Sequence, residues 1–566
     1  MAKAEATVEE LVGMIERGEL RLPEMQRRYV WRAPRVRDLL DSLYRGYPSG
    51  AILLWETDED VPLRDFAVQQ DVNPYQATKL LLDGQQRLTS LMAVLRGEMV
   101  HVRGRKKPIE LLFNLKHPDL LTVITEVEED KDEEDEADET DATEDEIQKR
   151  LEQMTFVVST KKLAGLPHWV PVSEVFKTDS DAPFLKKAGV TNFDDPLYEK
   201  YSGRLKRLRS VRKYVYRMDI LQRTLSYEEV TEIFVRVNSL GAKLRSSDLA
   251  MAQITAKWRD SLKIFQAFQK ECANNGFDLD LGIHVKNLVV FATGQSRFKT
   301  VGGLKPDQLQ EGWNLGQEGF RFAINFLKSN AKIESPALLS SPFLLIAIAY
   351  YGHQNNYSLT PQQEADLRYW LYVANTKGRY SRGSTETLLD QDLTKSRNGQ
   401  GIDGMIESLK NQFGRLDISP GELEGRNARS AYFKTMFLAF HEDGAKDWIS
   451  NLAISLSHSG KQHKLQFHHI FAQALLKGDH RPRVVNDIAN LSFIGGKTNR
   501  KISSKSPDKY IPNLIKKQGK EPFVAQCIPL EDGLLTVDKF TDFLTERRKL
   551  IADRLNLFLN DARKST

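Results

Sequence analysis

Phe467-His468-His469-Ile470-Phe471, followed by Asn490-Leu491 and then by Asn499-Arg500-Lys501, is the stretch on which the reading of this chain turns. The histidine pair closes a short apolar run and predicts a strand. Leu491-Ser492-Phe493-Ile494 predicts a second strand, ahead of a Gly495-Gly496 turn, and the Asn499 segment then reads as a helix. Two strands and a helix at this spacing converge the histidines and asparagines on one small ββα unit. These residue types suit phosphodiester cleavage, which needs a base to activate water, a cation to neutralise the leaving oxygen and a group that holds the base in place. His469 is the expected base, His468 and Asn499 the expected ligands of one divalent ion, and Asn490 the residue that positions the loop.

Charge around this stretch points the same way. Residues 461–520 carry thirteen Lys and Arg against three Asp, and His458, His463, His468, His469 and His480 are five of the chain's eleven histidines. Lysine and arginine are the ordinary solvated face of a soluble protein, but their clustering with histidine favours a polyanion as partner. Lys497, Arg500, Lys501 and Lys505 are the expected nucleic-acid contacts. A structural zinc site is disfavoured, because Cys272 and Cys527 lie far from the histidines in sequence and have no CxxC spacing. Gly495-Gly496-Lys497-Thr498 ends like a phosphate-binding loop, but Leu491 stands where that motif needs its first glycine.

A second signal lies near the N-terminus. Lys79-Leu80-Leu81-Leu82 predicts a strand that runs into Asp83-Gly84-Gln85-Gln86-Arg87, and a helical pattern follows from Leu88 to Leu95. A strand, a polar turn and a helix N-terminus can aim N–H groups at an anion, with Arg87 adding a forked contact to a phosphate. Asp-Gly is equally a common surface turn, so these residues alone leave both readings open.

Two resemblances extend these readings. The segment from about Leu465 to Lys509 resembles the HNH nucleases, with Ala472 where many relatives carry proline. The DGQQR stretch, together with Leu22-Pro23-Glu24-Met25-Gln26-Arg27-Arg28-Tyr29-Val30-Trp31 and Ile233-Phe234-Val235-Arg236-Val237-Asn238-Ser239-Leu240-Gly241, resembles the ParB-like N-terminal domain of GmrSD-type restriction proteins and the related BrxU and SspE groups. What this resemblance implies is a modification-dependent anti-phage enzyme, in which the first domain binds and hydrolyses a nucleoside triphosphate, GTP or ATP, and the last cuts modified phage DNA with Mg2+ or Mn2+. Carried over by position, Asp83, Gln85, Gln86 and Arg87 would form the nucleotide site, and Gln26, Arg27, Tyr29 and Trp31 a neighbouring sensing cleft. Arg28 stands where relatives usually have proline. Asn238 and Gly241 are expected to shape a turn.

Composition agrees with a chain of two or three domains. Its 566 residues, 40% hydrophobic and 28% charged, are those of an ordinary globular protein, and two cysteines suit a reducing, cytoplasmic compartment. The first twenty residues read as an amphipathic helix rather than a signal peptide, and the apolar run 342–351 as a buried helix too short to span a bilayer. The net charge of +4 conceals an acidic block, 126–146, with fifteen Asp and Glu; without it the balance is 80 − 62 = +18. Such a block is expected to be a self-repelling, disordered insert. A basic run at 203–217 is expected to be helical and then strand-like, with its cations outward, either to track phosphates or as an ordinary solvated face.

The expected fold class is α+β and predominantly helical: a ParB-like domain over 1–225 carrying the acidic insert, a mainly helical connector over 226–440 whose start includes the last N-terminal motif, and an HNH-type ββα-metal nuclease domain over 441–566. The closing segment 540–559 is expected as a helix packed on the nuclease domain. DNA and nucleotide are the expected partners, with a homodimer admissible and no membrane. The competing readings are a nucleotide-responsive DNA-binding regulator with an inactive nuclease fold, and a nuclease that acts on RNA.

Overall fold

The computed structural model describes residues 2–69, 78–97, 109–118, 151–240, 245–381, 383–456, 465–476, 479–531 and 533–564. The acidic block 126–146, His458, His463 and Gly241 lie outside the described residues. The architecture is mainly helical with sheets, and the chain divides into two compact units after Leu262. Helices Tyr227–Leu240 and Ser246–Lys257, from the expected connector, therefore fold with the N-terminal strands.

The first unit is built on a six-stranded mixed sheet made of β1 (Ala2–Thr7), β2 (Leu20–Pro23), β3 (Ile52–Thr57), β4 (Leu63–Arg64), β5 (Thr78–Asp83) and a late strand, Val215–Leu221. Three further strands, β6 (Leu111–Asn114), β7 (Phe156–Val158) and β8 (Trp169–Pro171), form a separate antiparallel sheet, which makes the late strand β9. The order in the large sheet is β1-β9-β3-β5-β2-β4. Its two faces are buried by different elements, as strand alternation requires. Leu81, Ile52 and Leu54 face a core that includes helices Val8–Glu16, Ala33–Arg45 and Gln85–Arg96. Leu80, Leu82 and Trp55 face Tyr227, Val230, Phe234, Ala252 and Ala256 of the two later helices.

Two sequence expectations are corrected in this unit. The first twenty residues are not one helix: Ala2–Thr7 pairs antiparallel with β9, and the helix begins only at Val8. Thr7 and Glu10 form a reciprocal capping box there, which sets the start of the helix. The basic run is helical to Arg209 and extended from Val215, but several of its arginines point inward. Buried Arg204 donates to the Leu115 carbonyl, Arg207 donates to the Tyr44 carbonyl and lies over the Tyr44 ring, and Arg209 gathers Val175, Thr178 and Asp181. Carbonyls at the ends of neighbouring elements need donors, and these guanidinium groups supply them.

The second unit begins with a helical array that includes Leu281–Thr293, Pro306–Ser329, Phe343–Gln354, Pro361–Lys377, Thr385–Arg397, Gly401–Phe413 and Ala431–Glu442. The apolar run expected as a helix is buried throughout Leu344–Gly352. Lys377, Arg379 and Tyr380 are all buried, with Arg379 paired to Asp392 at 3.0 Å and Tyr380 donating to the same carboxylate. The unit closes with β10 (Leu465–His469), β11 (Leu491–Gly495), helices Gly496–Ile502 and Pro507–Gln518, and the long helix Phe540–Asp561. Gly495 and Gly496 are the strand end and the helix start rather than a free turn. No described helix is long and apolar enough to cross a membrane.

Candidate active site

Strands β10 and β11 pair antiparallel, with His468 opposite Ser492 and His469 opposite Leu491. The helix that carries Asn499 starts directly at the end of β11, and Asp447 fixes that start. Its carboxylate accepts from Gly495 N at 2.7 Å and from Thr498 Oγ1 at 2.6 Å. Burial alone would raise the Asp447 pKa, but the hydrogen bonds from Thr498, Ser450 and Gly495 outweigh it and hold the carboxyl below its ordinary value.

His468 is 3% exposed, and its Nδ1 lies 2.8 Å from Asn499 Oδ1. Asn499 Nδ2 donates to Gln466 Oε1 at 2.7 Å, so the amide oxygen is the atom turned to the imidazole. Burial brings the His468 pKa down to about 4, against the Asn499 hydrogen bond and with the help of neighbouring His469. The ring is therefore neutral at pH 7. Tyr510 donates its hydroxyl proton to the Ile470 carbonyl at 3.0 Å and keeps its oxygen 3.5 Å from His468 Nε2. An amide oxygen only accepts, so Nδ1 carries the proton in this pair; a cation on Nδ1 requires the other tautomer, whose Nε2 proton the Tyr510 oxygen can accept. Trp448 closes the site edge-on to the His468 ring at 5.9 Å.

His469 belongs to a second network. Its Nε2 is 2.9 Å from Asn486 Oδ1, and Gln473 Nε2 donates to the same oxygen at 3.0 Å. An amide oxygen only accepts, so Nε2 carries the proton and Nδ1 keeps a lone pair. Gln473 Nε2 also lies 3.3 Å from His469 Nε2, a donor facing a donor in this tautomer and so a contact rather than a bond. His469 is half-buried, so its ring is accessible to solvent.

Asn490 is fully buried and touches neither histidine network. Its Oδ1 accepts from Phe471 N at 2.9 Å, and its Nδ2 donates to the carbonyls of Phe471 and Val485. It thus ties the loop after β10 to the segment before β11. Beneath it, fully buried Arg547 of the closing helix donates to the carbonyls of Ala489, Leu491, Gln526 and Cys527. Buried Asp487 accepts from Gly425 N at 2.7 Å and pairs with Arg548 at 2.6 Å. Lys497, Arg500, Lys501 and Lys505 are exposed.

The donor set fits a weakly held divalent ion rather than a closed structural metal. Among the described residues, no three His, Cys, Asp or Glu side chains gather for a metal. One neutral imidazole and one amide oxygen leave the remaining positions to water and phosphate oxygens, the mode Mg2+ favours. Sequence reasoning missed Gln466, Gln473, Asn486 and Tyr510. Gln473 stands four residues after His469 and Asn486 four before Asn490, spacings that carry meaning only once the histidines are identified.

In the first unit, β5 ends at Asp83 and helix Gln85–Arg96 starts from Gly84, whose φ of 104° suits glycine. A Cβ there would lie 2.4 Å from Ile52 Cδ1. Gln85, Gln86 and Arg87 of this turn face inward, while Asp83 stays partly exposed. Arg87 donates to the carbonyls of Ser49 at 2.6 Å and Ala51 at 2.7 Å and pairs with Asp83 at 3.0 Å. Gln86 accepts from Val30 N and Trp31 N and donates to the Arg28 carbonyl. Gln85 is buried, and the Gln86 amide lies 3.5 Å from its Oε1. Gln26 donates to the Leu81 and Leu82 carbonyls, and Tyr29 shares a 2.8 Å hydrogen bond with Ser90. Trp31 is half-buried against the main core. The turn and the 26–31 segment are thus one interlocked scaffold.

Arg27 sits at its edge, 3.5 Å from Asp248. Burial lowers the Arg27 pKa, and Arg245 and Arg35 add to the effect against Asp248. Arg64, which donates to the Gln26 carbonyl at 2.5 Å, is brought down to about 10 by burial, with Arg28 adding to it. Asn238 lies on helix Tyr227–Leu240 rather than in a turn.

A protein of Methanocaldococcus jannaschii described as uncharacterized is 24% identical to this chain over 549 residues, covering 90% of this chain and 87% of the relative. Residues 8–255, which hold every strand of the large sheet except β1, the DGQQR turn and the arginine cluster, match the family described as GmrSD restriction endonuclease, N-terminal domain.

Proposed function

We propose that this protein is a modification-dependent DNA endonuclease of anti-phage defence, in which the second unit cuts with a divalent cation and the first binds a nucleotide that regulates cutting. The likeness of residues 8–255 supports a restriction endonuclease that acts on DNA. The observation that carries the chemistry is the pairing of His468 Nδ1 with Asn499 Oδ1 at 2.8 Å beside a His469 whose Nε2 is tied to Asn486.

In this reading His468 and Asn499 hold Mg2+ or Mn2+, which supplies charge neutralisation at the scissile phosphate. His469 Nδ1 takes the proton of the attacking water, and Asn486 keeps the ring in the tautomer that can do so. Asn490 positions the loop, and Lys497, Arg500, Lys501 and Lys505 meet flanking phosphates. In the first unit the scaffold set by Gln86 and Arg87 supports an anion site at Arg27, Arg28, Arg35, Arg64 and Arg245. Burial of Arg27 and Arg64, and the repulsion that Arg245, Arg35 and Arg28 add, favour a triphosphate there, GTP or ATP. Asp83, with a side chain 43% exposed, is the member of the turn left to orient a metal or water.

The test is cleavage of supercoiled plasmid and of glucosylated-hydroxymethylcytosine DNA by the full chain and its His469→Ala variant, with Mg2+ or Mn2+ and with or without GTP or ATP. Cutting by the wild type alone, dependent on DNA type and nucleotide, is expected. Equal rates under all nucleotide conditions would remove the regulatory part, and cleavage of RNA in preference to DNA would remove the substrate.

A further inference from the structure

We infer that the outer face of helix Pro507–Gln518 is a nucleic-acid backbone-tracking surface that extends the contact zone beyond the proposed cutting site. The inference rests on the nuclease reading above.

The helix has two chemically distinct sides. Tyr510 and Ile511 are buried, with Leu514 and Ile515 half-buried beside them. Lys509, Asn513, Lys516 and Lys517 are exposed. At 100° per residue, positions 509, 513, 516 and 517 fall within about 100° of one another, so the three lysines and the asparagine share one stripe. Lys520 continues it past the helix end and is also exposed. The Lys509 side chain is 79% exposed even though it lies 3.0 Å from Asp508, so its charge stays available to solvent. Lys516 and Lys517 sit in the last turn, where cations also suit the helix dipole, but Lys509 sits in the first turn, where the dipole opposes it. Helix stabilisation therefore accounts for only part of the stripe.

Placement turns the stripe into a functional surface. Tyr510, on the buried side, reaches the Ile470 carbonyl and approaches His468 Nε2, so the helix is fastened to the site itself. The exposed cations Lys497, Arg500, Lys501 and Lys505 precede it directly in sequence. From Lys509 to Lys520 the rise is about 16 Å, enough to pass several phosphates of one strand at about 3.4 Å of axis each. A rigid row of lysines without recurring carboxylates suits a regularly charged backbone better than an acidic protein patch. Lysine contacts to phosphates carry no sequence information, so the backbone contact is sequence-independent.

The test measures binding of a fluorescent 30-base-pair duplex to the full-length His469→Ala chain by anisotropy between 50 and 300 mM NaCl. Three variants are compared in that background: Lys509→Gln/Lys516→Gln/Lys517→Gln, the same positions changed to Glu, and a control with Lys299, Lys328 and Lys410, exposed elsewhere in the unit, changed to Gln. Each phosphate contact contributes about 0.9 to the slope of log K against log salt, so the first variant is expected to flatten it by about 2 to 3. The Glu variant should bind still more weakly, and the control should match its parent. An unchanged slope, an equal loss in the control, or an absence of duplex binding by the parent would overturn the inference. Loss of cleavage by wild type with the slope change intact would instead fault the nuclease chemistry and leave the surface standing. An acidic polypeptide that competes as well as DNA at equal charge would assign the stripe to a protein partner and overturn it too.

Discussion

An asparagine amide offers an oxygen or a pair of N–H donors depending on one half-turn, and only the oxygen can meet a cation. Gln466 makes that choice here by accepting from Asn499 Nδ2, which leaves Oδ1 against His468. Gln466→Leu is expected to weaken Mn2+ binding by about 10- to 100-fold, as loss of a ligand's supporting hydrogen bond does, while Gln466→Glu, which still accepts, should keep most of it. Mn2+ titration followed by electron paramagnetic resonance measures both; equal affinities in all three proteins would refute the role. Asp447 gives a pH prediction. Its folded pKa is lowered, so its stabilising contribution is complete above the ordinary carboxylate range, near pH 4, and is lost as pH falls through the lowered value. The thermal midpoint of the second unit should therefore fall below about pH 4 in wild type and less steeply in Asp447→Asn, which starts lower at pH 7. At this scale His468 and His469 were legible because an adjacent histidine pair before a spaced asparagine is uncommon. Gln466, Gln473 and Asn486 were not, because such amides are usually solvated and acquire partners only when distant segments meet.

Short elements acquire their shape from what closes their ends. The strand, turn and helix at 79–95 were readable from an apolar run, Asp83-Gly84 and helical periodicity, and they appear as Thr78–Asp83 and Gln85–Arg96. The inward direction of the turn's side chains was not readable, since it depends on the 26–31 and 49–51 segments returning to the same place. Gly50 at φ 90° approaches Arg87 so closely that a Cβ would lie 2.5 Å from Nη1, and Gly84 is equally confined. Gly50→Ala and Gly84→Ala should each destabilise the first unit by about 1–3 kcal/mol, read by urea unfolding, with little effect on the second unit's transition. In the closing helix, Arg547→Met should cost about 3 kcal/mol or more, because three buried carbonyls and one part-buried one lose their donor together. An unaltered denaturation midpoint would show that water or a neighbour replaces them. The Ala2–Thr7 strand escaped sequence reading because its partner, β9, lies more than two hundred residues away.

At the scale of the molecule, family likeness and geometry bear on different units. Residues 8–255 match the GmrSD restriction endonuclease N-terminal family, whereas the case for phosphodiester cleavage rests on four side chains of the second unit. Composition and motif order made a multidomain helical α+β chain legible, but they could not place the division after Leu262, because helices Tyr227–Leu240 and Ser246–Lys257 are recruited to the far face of the sheet by contacts that no local pattern announces. The arginine cluster was likewise only partly visible: Arg27 stands in a motif, whereas Arg64 and Arg245 join it through the fold. Arg64→Gln should weaken nucleoside triphosphate binding, measured by isothermal titration calorimetry, by about tenfold, in keeping with loss of one charge-assisted contact. Metal-dependent cleavage by the second unit is the claim on which the rest depends. Its most direct measurement is the nicking rate of supercoiled DNA by wild type and by structurally intact His469→Ala, with Mn2+ or Mg2+ and with EDTA. The account predicts nicking by the wild type that is lost in EDTA and reduced at least about a hundredfold in the variant. Nicking that survives in His469→Ala, or no nicking by a folded, metal-loaded wild type on any of the DNA substrates, would contradict it.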